Sequence, residues 1–172
     1  MKKKGIFLTV ILLITGLTAI NNNCQAQRKK NTAAFYNYEI ECMGTGSDGS
    51  QLLKVWGYGK KVDKAIDQAK KNAVHAVIFR GITVGKPGCM QRPLATKPGT
   101  EQQHRQYFDA FFAEGGKFLN FVAITSDGSI DPKDRLKVGK EYKVGVVVTV
   151  MHTALRKELE AANVISALGG GF

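Results

Sequence analysis

Gly44, Gly46 and Gly49 in "CMGTGSDGSQ" (residues 42–51) stand in the spacing G-x-G-x-x-G, the pattern that lets a backbone approach a dinucleotide pyrophosphate. That chemistry needs a strand running into the loop and a helix running out of it, so that the free N–H groups of the helix face the phosphate. The flanks are different here. In "FYNYEIECM", Tyr36, Tyr38, Ile40 and Cys42 alternate with Asn37, Glu39 and Glu41, and in "QLLKVWGYG", Leu53 and Val55 share one face while Lys54, Trp56 and Tyr58 share the other. A period of two on both sides predicts two strands. The glycines and Asp48 then supply a hairpin connection, and neither a nucleotide nor any other cofactor is expected.

The remaining reactive residue types are isolated. His104 lies on a stripe with Tyr107, Phe108, Phe111 and Phe112, which predicts a packed imidazole; His75 falls on the helix face opposite Ile66, which predicts a solvated one; His152 follows a strand end. No H-E-x-x-H, C-x-x-C or nucleophile elbow accompanies them, so no catalytic residue and no metal ligand is assigned. Asp127, Asp131 and Asp134 crowd "SDGSIDPKDR", but the spacing misses the calcium-loop pattern and lacks its closing Glu. Asp-Gly and Asp-Pro turn chemistry accounts for them. Paired carboxylates meet in space and leave no trace in spacing, which keeps a hydrolase open as the alternative.

The chain opens "MKKKGIFLTVILLITGLTAINNNCQAQ", with three lysines, an uncharged and mostly apolar run from Gly5 to Ile20, and a small residue at Ala26. This is the layout of a secretory signal peptide, and the run is short for a membrane span of about 20 residues. Cleavage between Ala26 and Gln27 is expected. Lipidation at Cys24 is the competing reading, but Asn21, Asn22 and Asn23 occupy the positions where a lipoprotein signal places apolar and small residues. Loss of Lys2, Lys3 and Lys4 lowers the formal charge from +11 to +8, with the positives spread along the chain. Such a balance implies weak association with an anionic membrane or polysaccharide and no nucleic-acid partner. Two cysteines then remain, Cys42 and Cys89. In an exported chain they can form a disulfide, or Cys42 can be a small buried apolar residue; the sequence leaves both open.

These residues need elements to hold them. From Lys61 the period lengthens: Val62, Ala65, Ile66, Ala69, Ala73 and Val77 recur at three and four steps, predicting an amphipathic helix that Gly81 stops. Its alanines predict close approach to the hairpin. Residues 82–99 read as an irregular loop, "EQQHRQYFDAFFAEGG" as a shorter helix ended by Gly115–Gly116, and "KFLNFVAITSDG" as a strand. "EYKVGVVVTVM" alternates Tyr142, Val144, Val146, Val148 and Val150 with polar or small residues, a further strand. A last helix over 153–168 carries Leu155, Leu159, Ala162, Ile165 and Leu168 on one side, with Gly169–Gly171 to end it. The expected organisation is a signal peptide (1–26), a flexible basic N-terminus (27–34), one α+β domain (35–168) and a Gly-rich tail (169–172). The domain is a two-layer sandwich in the order β-β-α-α-β-β-α, mainly antiparallel, with helices on one face.

The glycine-rich "GTGSDG", the alanine-stepped "KAIDQAKKNAVHAVIFRGI" and the late strand-to-helix unit "GKEYKVGVVVTVMHTALRKELE" together resemble the small exported domains of the lipoprotein-twenty-like and flagellar-assembly-T N-terminal group. The resemblance covers about half of the chain beyond residue 26. It implies a non-enzymatic α+β domain that works in a cell-envelope or appendage assembly. Sequence and resemblance together point to an exported module, periplasmic, outer-membrane-associated or secreted, that binds an envelope protein. The alternative is a periplasmic or secreted hydrolase, or a small-ligand or glycan binder.

Overall fold

The computed structural model of the chain describes residues 38–125 and 130–167. The expected signal peptide with its Ala26–Gln27 cleavage point, the basic N-terminus, Asp127, Leu168 and the glycine tail lie outside them. Strand β1 (Ile40–Thr45) and strand β2 (Gln51–Gly59) form the expected antiparallel hairpin, in register Ile40 opposite Val55, with a bulge between Cys42 and Gly44. The turn is closed by Gly46 N–H to Ser50 O at 2.9 Å and Gly49 N–H to Gly46 O at 3.1 Å. Gly49 has φ +78°, a left-handed conformation that costs glycine little. Gly46 has no such angle; a Cβ there would instead crowd the Ser50 and Asp48 side chains.

Helix α1 (Val62–His75) continues through one π turn (Ala76–Arg80) to Gly81, which has φ +75° and donates its N–H to Ala76 O at 2.7 Å. Gly81 therefore ends the helix where the sequence placed the stop. Ala65, Ala69 and Ala73 are fully buried, and the reason for alanine is geometric: α1 lies directly on the backbone of β2. A Cβ at Gly57 would fall 2.5 Å from Ala69 N, and one at Gly59 2.5 Å from Ala65 N. Neither side of this contact has room for a side chain.

Strand β5 (Glu141–Val150) pairs with β2 along its length, from Gln51–Val150 to Gly59–Tyr142. Against its other edge lie β3 (Val122–Ile124) at one end and β4 (Arg135–Val138) at the other. Among the described residues the sheet is antiparallel and five-stranded, and with four helices the class is α+β. Leu53, Val55, Val144, Val148 and Val150 turn to the helical side and are buried within one core.

Four elements depart from the sequence reading. Strand β4 is additional: it is a short edge strand with all four residues exposed, so no burial alternation marks it. The strand expected over "KFLNFVAITSDG" is instead a 3₁₀ turn, Lys117–Phe121, followed by β3. Phe118 and Phe121, both buried, are three apart, the spacing that a 3₁₀ helix brings to one side. The aromatic helix is two pieces, α2 (Thr100–Gln103) and α3 (Arg105–Phe111), broken at His104 with φ −108° and ψ 30°. The last helix, α4 (His152–Ala161), stops seven residues early. Asn163 takes φ +54° and donates to Glu160 O at 3.0 Å, while Val164 N–H reaches Leu159 O at 2.9 Å. That is a Schellman termination, with Asn doing what glycine usually does. It folds Val164 back into the core.

Candidate functional site

Cys42 and Cys89 are joined by a disulfide with Cα atoms 5.8 Å apart. Around it residues 84–86 lie against the free edge of β1: Cys42 N–H donates to Val84 O at 2.9 Å, and Lys86 N–H donates to Cys42 O at 3.0 Å. The backbones are so close that a Cβ on Gly85 would lie 2.5 Å from Cys42 N. The bridge thereby pins the start of the 82–99 loop, and the chain beyond it is held in turn by Leu94 N–H to Val77 O (3.0 Å) and Ala95 N–H to Ile78 O (2.8 Å).

This fixed segment forms one wall of a groove of about 810 Å³, and α4 forms the other. Positions 152, 156 and 160 recur every fourth residue, so His152, Arg156 and Glu160 make a polar stripe on α4, while Leu155 and Leu159 on its other side enter the core. Across the groove stand Gln91, Arg92, Lys97 and, at the break between α2 and α3, His104. Two of the three histidines isolated in the sequence therefore line one groove. His104 is only half-buried there, so its expected packing within the aromatic stripe is corrected; the stripe is completed by Phe108 and Phe111 without it. Arg156 Nε lies 3.0 Å from Glu160 Oε1, out of line for a hydrogen bond.

Burial, then the neighbouring Arg156 cation, hold the His152 imidazolium below its ordinary value of 6.5. Because the folded state binds this proton less readily than the unfolded chain, the stabilising contribution is complete above about pH 6.5 and is lost as pH falls from there through the folded value. An NMR titration of the His152 ring is expected to give a midpoint under 6.5. Arg156→Gln should raise that midpoint only in part, since burial remains the larger cause; a midpoint above 6.5 would contradict the placement.

His75 is not solvated. It is 7% exposed, its Nδ1 lies 2.9 Å from the Tyr38 hydroxyl, and its ring packs on Phe79 at 4.8 Å and Phe112 at 5.9 Å between centroids. Helical periodicity alone gives it a water-facing position, but α3 folds its phenylalanines over that side of α1. Of the aspartates, Asp131 accepts from Lys133 N–H at 3.1 Å as the cap of a 3₁₀ turn (Pro132–Asp134). Asp134 is bound by Lys54 Nζ through both oxygens at 2.8 Å. Among the described residues no group of three His, Cys, Asp or Glu side chains is placed to hold a metal ion.

A second surface was missed by the search for reactive residues. The helices cover one face of the sheet, and on the other Trp56 lies over Gly145, whose missing side chain lets the indole sit flat on β5: a Cβ there would be 3.0 Å from the ring. Lys143 Nζ stands 4.7 Å and Lys54 Nζ 5.4 Å from the indole centre, geometry that suits cation–π attraction. Each lysine also has a carboxylate, Lys143 with Glu39 at 2.7 Å and Lys54 with Asp134. Hydrogen bonding to Glu39 raises the Lys143 ammonium above its ordinary range. Next to Trp56 the pairing places Tyr58, Lys143 and Leu136 in one row, with Val138 beyond. Tyr58, Leu136 and Val138 are 41, 45 and 51% exposed. The period-two pattern of "LLKVWGYG" already put Trp56 and Tyr58 on the polar face, and that was the available signal.

No protein-family model, curated protein or solved structure matches the chain. Among the described residues, no helix is long and apolar enough to cross a membrane.

Proposed function

We propose that the chain is an exported, non-catalytic module of the cell envelope that binds another protein through the sheet face that no helix covers among the described residues. The observation that carries this reading is the cluster of Trp56, Tyr58, Leu136 and Val138 at one end of that face, with three of the four among the most exposed large apolar side chains. Clustered aromatic and aliphatic side chains rimmed by charge characterise contact surfaces for proteins. Lys54 and Lys143, paired with carboxylates, hold the indole in place, a construction that suits rigid contact more than proton transfer.

On this face Lys54 and Lys143 are paired with Asp134 and Glu39, and the register sets Glu41 beside Lys54 and Glu141 beside Val138, so the rim is of mixed charge and suits a partner surface of mixed charge. Export is supported by the signal-like leader and by a disulfide, which persists in oxidising compartments. An assembly role is supported by the resemblance of the alanine-stepped helix and the late strand-to-helix unit to exported assembly domains. The groove favours a second reading, a small-ligand or glycan binder.

A photoactivatable residue placed at Tyr58 or Leu136 in living cells tests the first reading. The same envelope protein should be captured from both positions and not from Lys157, exposed on the outside of α4. Capture of a second copy of the chain, equal capture at Lys157, or no adduct at either face position would overturn it.

A further inference from the structure

The groove between α4 and residues 91–104 combines three features. Its charged lining is Arg92, Lys97 and Arg156 against Glu160, an excess of cations in a recess. Its uncharged polar lining is amide and hydroxyl, from Gln91, Gln103 and Ser166, groups that both donate and accept. Between these, Pro93, Ala95 and Val164 offer small apolar surfaces. In addition, Gln91 Oε1 is shielded from solvent and has no hydrogen-bond partner among the described residues, whereas Arg156 Nε and Glu160 Oε1 face each other as an ion pair at 3.0 Å. Buried polar atoms in folded proteins are nearly always paired, and an unpaired one marks a place for a partner group.

We infer that this groove is a binding site for an acidic saccharide, a uronate-type sugar chain whose carboxylate meets Arg156 and whose hydroxyls meet the amides and hydroxyls of the walls. A guanidinium receives a carboxylate through two parallel hydrogen bonds, and Arg92 and Lys97 on the facing wall add to the field. Sugar hydroxyls need partners that both donate and accept, and the C–H faces of the rings need small apolar patches. The recess lies within the size range of ligand sites, ~300–1,000 Å³, but its polar walls suit a polyol better than an apolar ligand. Both walls are held before any ligand arrives: one by the disulfide two residues upstream of Gln91 and by the backbone bonds from Leu94 and Ala95, the other by Leu155 and Leu159 in the core. A prebuilt site loses less entropy on binding. The inference is independent of the sheet-face reading, since the groove and Trp56 share no residue.

The test is an NMR titration of the disulfide-bonded protein with tetragalacturonate, cellotetraose and inorganic phosphate in parallel. Saturable shifts are expected with tetragalacturonate, centred on the amides of Leu94, His104 and Arg156, with at least tenfold weaker binding in Arg156→Gln. Arg92→Gln, on the exposed lip, should weaken binding several-fold with an unchanged fold, and it keeps the test sound if Arg156→Gln lowers stability. Tyr58→Ser should leave this binding unaltered. No saturable shift, shifts on the sheet face, or equal saturation by cellotetraose would overturn the inference. Saturation by phosphate at the same residues would reduce the site to a general anion site and overturn the saccharide assignment.

Discussion

Gly57→Ala is expected to destabilise the fold by about 3 kcal/mol or more, the upper part of the range for overpacking a tight interior. The new Cβ meets backbone atoms of α1, at Ala69 N and Ala65 O, and backbone cannot move aside as a side-chain end can. To relieve the clash α1 must lift from β2 along its whole contact, loosening Ala65, Ala69 and Asn72, whose side-chain amide donates to Trp56 O at 3.0 Å. Gly44→Ala is the control within the same hairpin: a Cβ there meets nothing within 4 Å and its φ is not left-handed, so the change should stay within about 0.5 kcal/mol. Urea unfolding of the two variants decides it. Equal midpoints would mean that α1 does not lie on the strand.

Removing the disulfide has the second largest expected effect. The Cys42–Cys89 bridge spans a sequence separation of 47, and its constraint on the unfolded chain contributes about 3 to 4 kcal/mol on chain-entropy grounds. The paired change Cys42→Ser with Cys89→Ser should lower the melting temperature by on the order of 10 °C. The loss is local as well as global, because the bridge holds residues 84–86 on the edge of β1 and so covers backbone groups that would otherwise be open to strand pairing. Faster amide exchange is expected first at Cys42 and Lys86. A melting temperature unchanged between oxidised and reduced wild-type protein would contradict this prediction.

Both results concern features that the sequence showed only in part. The alanine face of α1 announced a close approach, and Gly57 and Gly59, two apart in a strand that otherwise carries bulky residues, were the matching signal on the sheet. The glycine spacing at 44, 46 and 49 was legible from its flanks as a turn between two strands, and β1 and β2 pair across it. Local pattern failed wherever a distant segment determines burial. His75 packs against Phe112, 37 residues away in sequence; β4 alternates Leu136 and Val138 with Arg135 and Lys137 but is four residues long and buries none of them; and the early end of α4 depends on one asparagine entering a left-handed conformation. The groove was beyond reach for the same reason. His104 and His152 are 48 positions apart and line one groove only because the fold sets residues 91–104 opposite α4.

The sheet-face reading makes one residue its own reporter. Trp56 is the single tryptophan of the chain, and it lies beside Tyr58 and Leu136 on the face proposed for contact. Fluorescence titration with the envelope protein captured at Tyr58 and Leu136 is therefore the most direct measurement. Binding should shift the Trp56 emission to shorter wavelength as the indole loses water, and Tyr58→Ser combined with Leu136→Ser should weaken affinity by tenfold or more, a loss of about 1.4 kcal/mol. If that partner binds with an unchanged Trp56 spectrum, and with the same affinity for the double variant, contact is made elsewhere and the account is contradicted.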